Sequence, residues 1–151
     1  MADFSAMGAT GEPFELFVEH GKVREFALAT RALHPSHFLP DEVTPPTFLT
    51  TILFWQDLVP GANPWTKVKL DPARGMHAEQ EYIFHGPPPV AGTKLLCRSR
   101  IDSIYDKEGR RGGKMTFAVM VTEFRDTTGK LVAEARLTGV ETEKPPSESG
   151  T

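Results

Sequence analysis

The sequence predicts an α+β fold in which an antiparallel sheet wraps around a long central helix. Two observations lead there. Between Pro46 and Val59, Phe48, Leu49, Ile52, Leu53 and Trp55 cover most of a helical circumference, and a helix apolar nearly all round is a buried one. Everything after Pro64 reads as strand and turn, so the order is strand, helix, buried helix, then a run of long strands. One sheet wrapped around one helix is the economical way to hide that helix.

Phe14, Leu16 and Val18 alternate with Glu15 and Phe17, which predicts a short first strand. From Lys22 the period becomes helical: Val23, Phe26, Ala27 and Thr30 share one side, with Lys22, Arg24 and Glu25 on the other. This helix stops before Pro35, because a residue ahead of proline avoids the helical region. His34 to Val43, with Pro35 and Pro40, reads as a surface loop. Thr44 is the expected N-cap of the central helix, Pro45 and Pro46 suit its first turn, and Pro60-Gly61 ends it.

Met76 to His85 alternates with period 2. Met76, Ala78, Gln80, Tyr82 and Phe84 share one face; His77, Glu79, Glu81, Ile83 and His85 share the other. The proline run 87–89 breaks the chain, and a long strand follows over Lys94–Tyr105, turned by Asp106-Lys107-Glu108-Gly109. Met115–Phe124 is the next strand, with Met115, Phe117, Val119 and Val121 alternating. After the turn Asp126-Thr127-Thr128-Gly129, a last strand carries Leu131, Ala133, Ala135 and Leu137. The body runs from Pro13 to Thr142 as one domain. Residues 1–12 and 143–151 lack apolar anchors and are expected to be flexible termini.

A chain of 151 residues is long enough to bury a core without disulfide or metal. Its net charge of −3 offers no positive field for a polyphosphate backbone, which argues against nucleic acid as a partner. The longest apolar run, Phe48 to Trp55, falls far short of the ~20 residues of a membrane helix. The single cysteine, Cys97, cannot form an intrachain disulfide, so a reducing, cytoplasmic location is expected.

Five segments then take on meaning together: Lys22-Val-Arg-Glu-Phe-Ala, Thr44-Pro-Pro-Thr-Phe-Leu, Gly75-Met-His-Ala-Glu-Gln-Glu-Tyr, Pro89-Val-Ala-Gly-Thr-Lys-Leu and Gly109-Arg-Arg-Gly-Gly. In this order they resemble the N-terminal, fatty-acid-synthase-dehydratase-like domain of the MaoC-like dehydratase family, over about residues 13–142. The resemblance implies a hot-dog fold and an acyl thioester of coenzyme A or acyl carrier protein as substrate. It also implies reversible addition of water at the β-carbon, and pairing with a second hot-dog chain as homo- or heterodimer. The implied role is a subunit of an R-specific enoyl-thioester hydratase (3-hydroxyacyl-thioester dehydratase) that shapes the acyl tunnel. No cofactor is expected. A hot-dog thioesterase, with Asp41 or Glu42 as its carboxylate, and a non-catalytic acyl-binding partner subunit are the alternatives.

Active members of the family carry Gly-Asp-x-Asn-Pro-x-His after the first helix. With Pro35 on the pattern's proline, His37 falls on the histidine and Ala32 on the aspartate. His37 is therefore the candidate catalytic residue: either the surviving half of an acid–base pair or a loop histidine of a non-catalytic subunit. Thr47 and Phe48, the first amide donors after two prolines, are the candidate substrate-binding residues, because a helix start can hold a thioester carbonyl as it gains enolate character. His77 and His85 with Glu79 and Glu81 can be read as metal ligands or as a solvated strand face; no metal is expected. Arg98, Arg100, Arg110, Arg111 and Lys114 lie either near a ligand phosphate or on a solvated hairpin. Cys97, flanked by apolar residues, reads as a buried small hydrophobe.

Overall fold

The computed structural model describes residues 2–38, 40, 42–109 and 113–143. Five strands form one antiparallel sheet in the order β1-β3-β4-β5-β2: β1 (Phe14–Phe17), β2 (Gly75–Phe84), β3 (Lys94–Glu108), β4 (Lys114–Arg125) and β5 (Leu131–Thr142). Helix α1 (His20–Ala29) and a second helical segment lie on one face. The second segment is a 3₁₀ turn over Phe48–Ile52 that continues as α2 (Leu53–Gln56). This is the hot-dog fold. Among the described residues no helix is long and apolar enough to cross a membrane.

The core follows the alternation. Phe14 and Leu16 of β1, Leu95 and Cys97 of β3, Phe124 of β4 and Ala133 of β5 pack against Val23 of α1 and Phe48, Leu49 and Ile52 of the central helix. A second cluster joins Ile101, Ile104, Ala118 and Met120 with Val68, Ala2 and Ala6. The first cluster covers the Phe48, Leu49 and Ile52 side of the central helix, and Gln56 at its end is 0% exposed.

Five expectations are corrected. The central helix spans 48–56, not 46–59, because Thr47 is its N-cap and Asp57 its C-cap. It is also covered on one side only: Phe54 is 72% exposed and Leu53 and Leu58 are exposed too. Strand β3 runs three residues past Tyr105, since Asp106, Lys107 and Glu108 pair with Thr116, Met115 and Lys114, and the Asp106 carboxylate accepts from Thr116 Oγ1 at 2.7 Å. On β4 the continuously buried set is Thr116, Ala118, Met120, Thr122 and Phe124, whereas Met115, Phe117 and Val119 are half-buried.

Finally, the segment 2–12 has anchors. Asp3 caps a 3₁₀ turn over Phe4–Ala6 by accepting from Ser5 N, and its amide donates to the Val68 carbonyl at 2.7 Å. Gly8 N donates to Ile101 O and Gly11 N to Ser99 O, so the segment prolongs the β1 side of β3. Gly8 sits at φ +81°, where a glycine turns the chain at no steric cost. Of the expected C-terminal tail, Glu143 is tied by its amide to Lys114 O; residues 144–151 lie outside the described residues.

Candidate functional site

Helix α1 ends where Ala32 N closes back on Ala27 O, with Arg31 at φ +56°. The chain then forms a 3₁₀ turn over Pro35–His37, whose His34 cap accepts from Ser36 N through Nδ1. Residues 42–44 are sewn to the strand-like stretch 89–91. Val43 bridges Val90, Thr44 N and Oγ1 both donate to Pro89 O, and Ala91 N donates to Glu42 O at 2.7 Å. Val43 N in turn donates to Ser36 O.

This frame holds His37, which is 8% exposed. Its Nδ1 lies 2.6 Å from the Val43 carbonyl oxygen. A carbonyl only accepts, so Nδ1 is the protonated nitrogen and Nε2 carries the lone pair in the neutral ring. The position the family pattern gives to aspartate is the half-buried Ala32, and among the described residues the Nδ1 partner of His37 is a backbone carbonyl. His34 meets His37 edge to face, ring centroids 6.1 Å apart.

Glu42 is fully buried. One carboxylate oxygen accepts from Arg24 Nε, and the other pairs with His20 Nδ1 at 2.9 Å. Burial acts to raise its pKa, but the hydrogen bonds from Arg24 and His20 outweigh it and hold the carboxyl below its usual value. With both oxygens engaged, Glu42 is not aimed at a ligand, which removes one of the two thioesterase candidates. Asp41, the other, lies outside the described residues.

Thr47 is exposed at the start of the central helix, and its carbonyl accepts from Thr50 N. Phe48 differs from its expected role as an amide donor: its N–H is spent on the Pro45 carbonyl at 2.9 Å, because Pro45 to Phe48 close a turn. Its ring is buried edge to face against Phe26, centroids 5.5 Å apart. Phe26 also lines an open groove of about 350 Å³ between α1 and the central helix. Phe26 and Ala29 form one wall, Thr51, Leu53 and Phe54 the other, and Lys22 stands at the rim.

Other candidates are placed elsewhere. A β-bulge between His77 and Glu79 makes them pair with adjacent residues, Gly139 and Thr138, and so sends their side chains to opposite faces. His85 pairs instead with Glu134 at 3.0 Å, and among the described residues no three His, Cys, Asp or Glu side chains gather as a metal site. Arg98 reaches Gly11 O, Arg100 pairs with Asp102 and Glu123, and Lys114 pairs with Asp106. Arg110 and Arg111 lie outside the described residues. Cys97 is buried, and burial pushes its thiol up to about 12. The Glu42–Arg24–His20 cluster escaped the sequence reading, since partners 18 and 22 residues apart leave no local spacing signal.

The chain matches the family model described as FAS1-like, dehydratase domain region, over residues 5–135. A UPF0336 protein of Mycolicibacterium paratuberculosis (strain ATCC BAA-968 / K-10) is 30% identical over 128 residues, which cover 78% of this chain and 68% of that protein. Among solved structures, the HadBC (3R-hydroxyacyl-ACP dehydratase) complex from Mycobacterium tuberculosis is similar with a TM-score of 0.69 and 26% identity, covering 89% of this chain and 96% of that one. A MaoC-like dehydratase from Phytophthora capsici has a TM-score of 0.70 and 18% identity, covering 97% of this chain but 52% of that one.

Proposed function

This chain belongs to the FAS1-like dehydratase-region family, a MaoC-like hot-dog domain, and from that premise we propose that it is a subunit of an R-specific enoyl-thioester hydratase/3-hydroxyacyl-thioester dehydratase. It acts on acyl thioesters of coenzyme A or acyl carrier protein together with a second hot-dog chain, and its main part is to shape the acyl tunnel. The observation that carries this reading is the pairing of an apolar groove with an incomplete acid–base site. Phe26, Leu53 and Phe54 wall the groove, while His37 is held by a carbonyl where an acid–base pair needs a carboxylate. Thr47 contacts the thioester end, and Phe48, packed edge to face on Phe26, holds that wall residue in place.

Two likenesses support a two-domain assembly. The HadBC dehydratase is a complex, and the chain spans about half of the Phytophthora protein. Hydration of an enoyl thioester needs a base to deprotonate water and an acid to protonate the α-carbon. The second hot-dog chain supplies the carboxylate that Ala32 does not. Of the two thioesterase candidates, Glu42 has both carboxylate oxygens engaged, by Arg24 and by His20, which favours a hydro-lyase over a thioesterase built on that residue.

A second reading rests on the 2.6 Å contact of His37 with Val43 O, which leaves Nε2 as a ready proton acceptor. In that reading His37 takes the proton from water and this chain contributes directly to turnover. The two readings separate on hydration of crotonyl-coenzyme A by the chain alone and mixed with a second hot-dog chain. The subunit reading expects activity only in the mixture, a particle larger than a monomer by light scattering, and little effect of His37→Ala. Loss of turnover by on the order of 10²–10⁴ in His37→Ala hands the proton transfer to this chain. An active mixture whose turnover and acyl-length preference ignore bulky changes at Thr47 and Thr51 would sink the tunnel-shaping role.

A further inference from the structure

His37 is not held by its own turn alone. The carbonyl that fixes its ring belongs to Val43, next in the chain to the fully buried Glu42. Glu42 spans two elements at once. Its side chain is gripped by Arg24 and His20 of α1, and its own carbonyl accepts from Ala91 N at 2.7 Å. Val43 continues the same line through its bridge to Val90 and its amide bond to Ser36 O, inside the turn that bears His37. The imidazole, helix α1 and the 89–91 stretch therefore meet through two consecutive residues.

We infer that Glu42 is a positioning residue for His37: clamped by Arg24 and His20, it sets where the Val43 carbonyl sits and so keeps the His37 proton on Nδ1 and the lone pair on Nε2. This rests on the second reading of the function, in which His37 accepts a proton. A histidine free in a loop exchanges its proton between the two ring nitrogens, and only one of the two forms presents a base at Nε2. The carboxylate that is absent at Ala32 is thus replaced by a carbonyl, and the charge that locates the carbonyl is one residue and one helix away. Relaxing the clamp lets residues 42–44 shift relative to α1, and the ring then samples both forms.

The test is ¹⁵N NMR of the histidine-labelled full chain, with the His37 signals assigned from His37→Gln, beside crotonyl-thioester hydration in the presence of the partner chain. In the native protein His37 is expected in the Nδ1–H form. Glu42→Gln and Arg24→Met are expected to raise the Nε2–H form to a measurable fraction, whereas Arg24→Lys, which keeps the charge, retains the native pattern. If Glu42→Gln does not fold, Arg24→Met and His20→Asn carry the comparison, since those side chains are 55% and 57% exposed and loosen the clamp from outside. An unchanged His37 tautomer in these folded variants overturns the inference, whatever turnover does. A shifted tautomer with unchanged hydration upholds the positioning role and removes His37 from the chemistry. A shifted tautomer with turnover down by on the order of 10²-fold, the cost of misplacing a reacting group by about an ångström, upholds both.

Discussion

The indole of Trp65 lies over Gly139 of β5, so close that a Cβ there would come within 2.6 Å of Cζ2 and 2.9 Å of Cη2. Leu70 closes the remaining side at 3.1 Å. Gly139→Ala is therefore expected to destabilise the fold by about 1–3 kcal/mol, the usual cost of overpacking. Chemical denaturation measures it, and Trp65→Leu in the same background should recover part of the loss. Equal losses in the single and double variants would mean that the two residues do not compete for that space.

Along the central helix, neighbouring positions should respond in opposite ways. Ile52 is buried against the sheet, and Ile52→Asp places an unpaired charge there at a cost of several kcal/mol, against a total stability of about 5–15. Cooperative unfolding should disappear. Phe54, at 72% exposed, should accept aspartate with a melting temperature close to native, while hydration in the mixed complex falls because the groove wall is lost.

Cys97 should be silent while the chain is folded. Its thiol is buried and raised to about 12, so almost no thiolate exists at neutral pH. Ellman's reagent is expected to find no reactive thiol in the native protein and one per chain in denaturant. Rapid reaction of the native protein would mean that the β1–β3 seam opens readily.

Acid should loosen the N-terminal segment. Hydrogen bonds from Ser5, and then from Lys69, lower the Asp3 carboxyl from 3.8 to about 2. A folded value below the unfolded one stabilises the protein above about pH 4, and that contribution is lost as pH falls towards 2. Hydrogen-exchange protection of the Ser5 and Ala6 amides should drop across this window in the native chain. In Asp3→Ala, which removes the acceptor for Ser5 N, it should already be low at neutral pH and should change less with acid. Identical profiles for the two proteins would contradict the assignment.

Most of the fold was legible because its determinants are local. Alternation at Phe14–Val18 and at Met76–Phe84 named two strands, and the Lys22–Thr30 period named α1 within two residues at its start. What escaped was decided by partners far along the chain. The segment 2–12 is polar and small, yet it is ordered by main-chain bonds to Val68, Ser99 and Ile101, which side-chain pattern cannot announce. The central helix has apolar residues on every side, and the sequence cannot tell which side its own sheet covers. His37 was found through a motif, whereas its partner Val43 acts through a carbonyl that any residue type would supply.

The pairing of Phe14 with Cys97 also bears on how the chain is made. At synthesis rates of about 5–20 residues per second, their separation of 83 positions parts the emergence of β1 from that of β3 by roughly 4–17 s. During that interval Phe14, Leu16 and Val18 have no sheet to join, and α1 and the central helix leave the ribosome without the strands that bury them. These apolar segments thus stay uncovered until β3 emerges, and β5 must appear before β2, some 55 residues upstream, finds its neighbour among the described strands of the sheet.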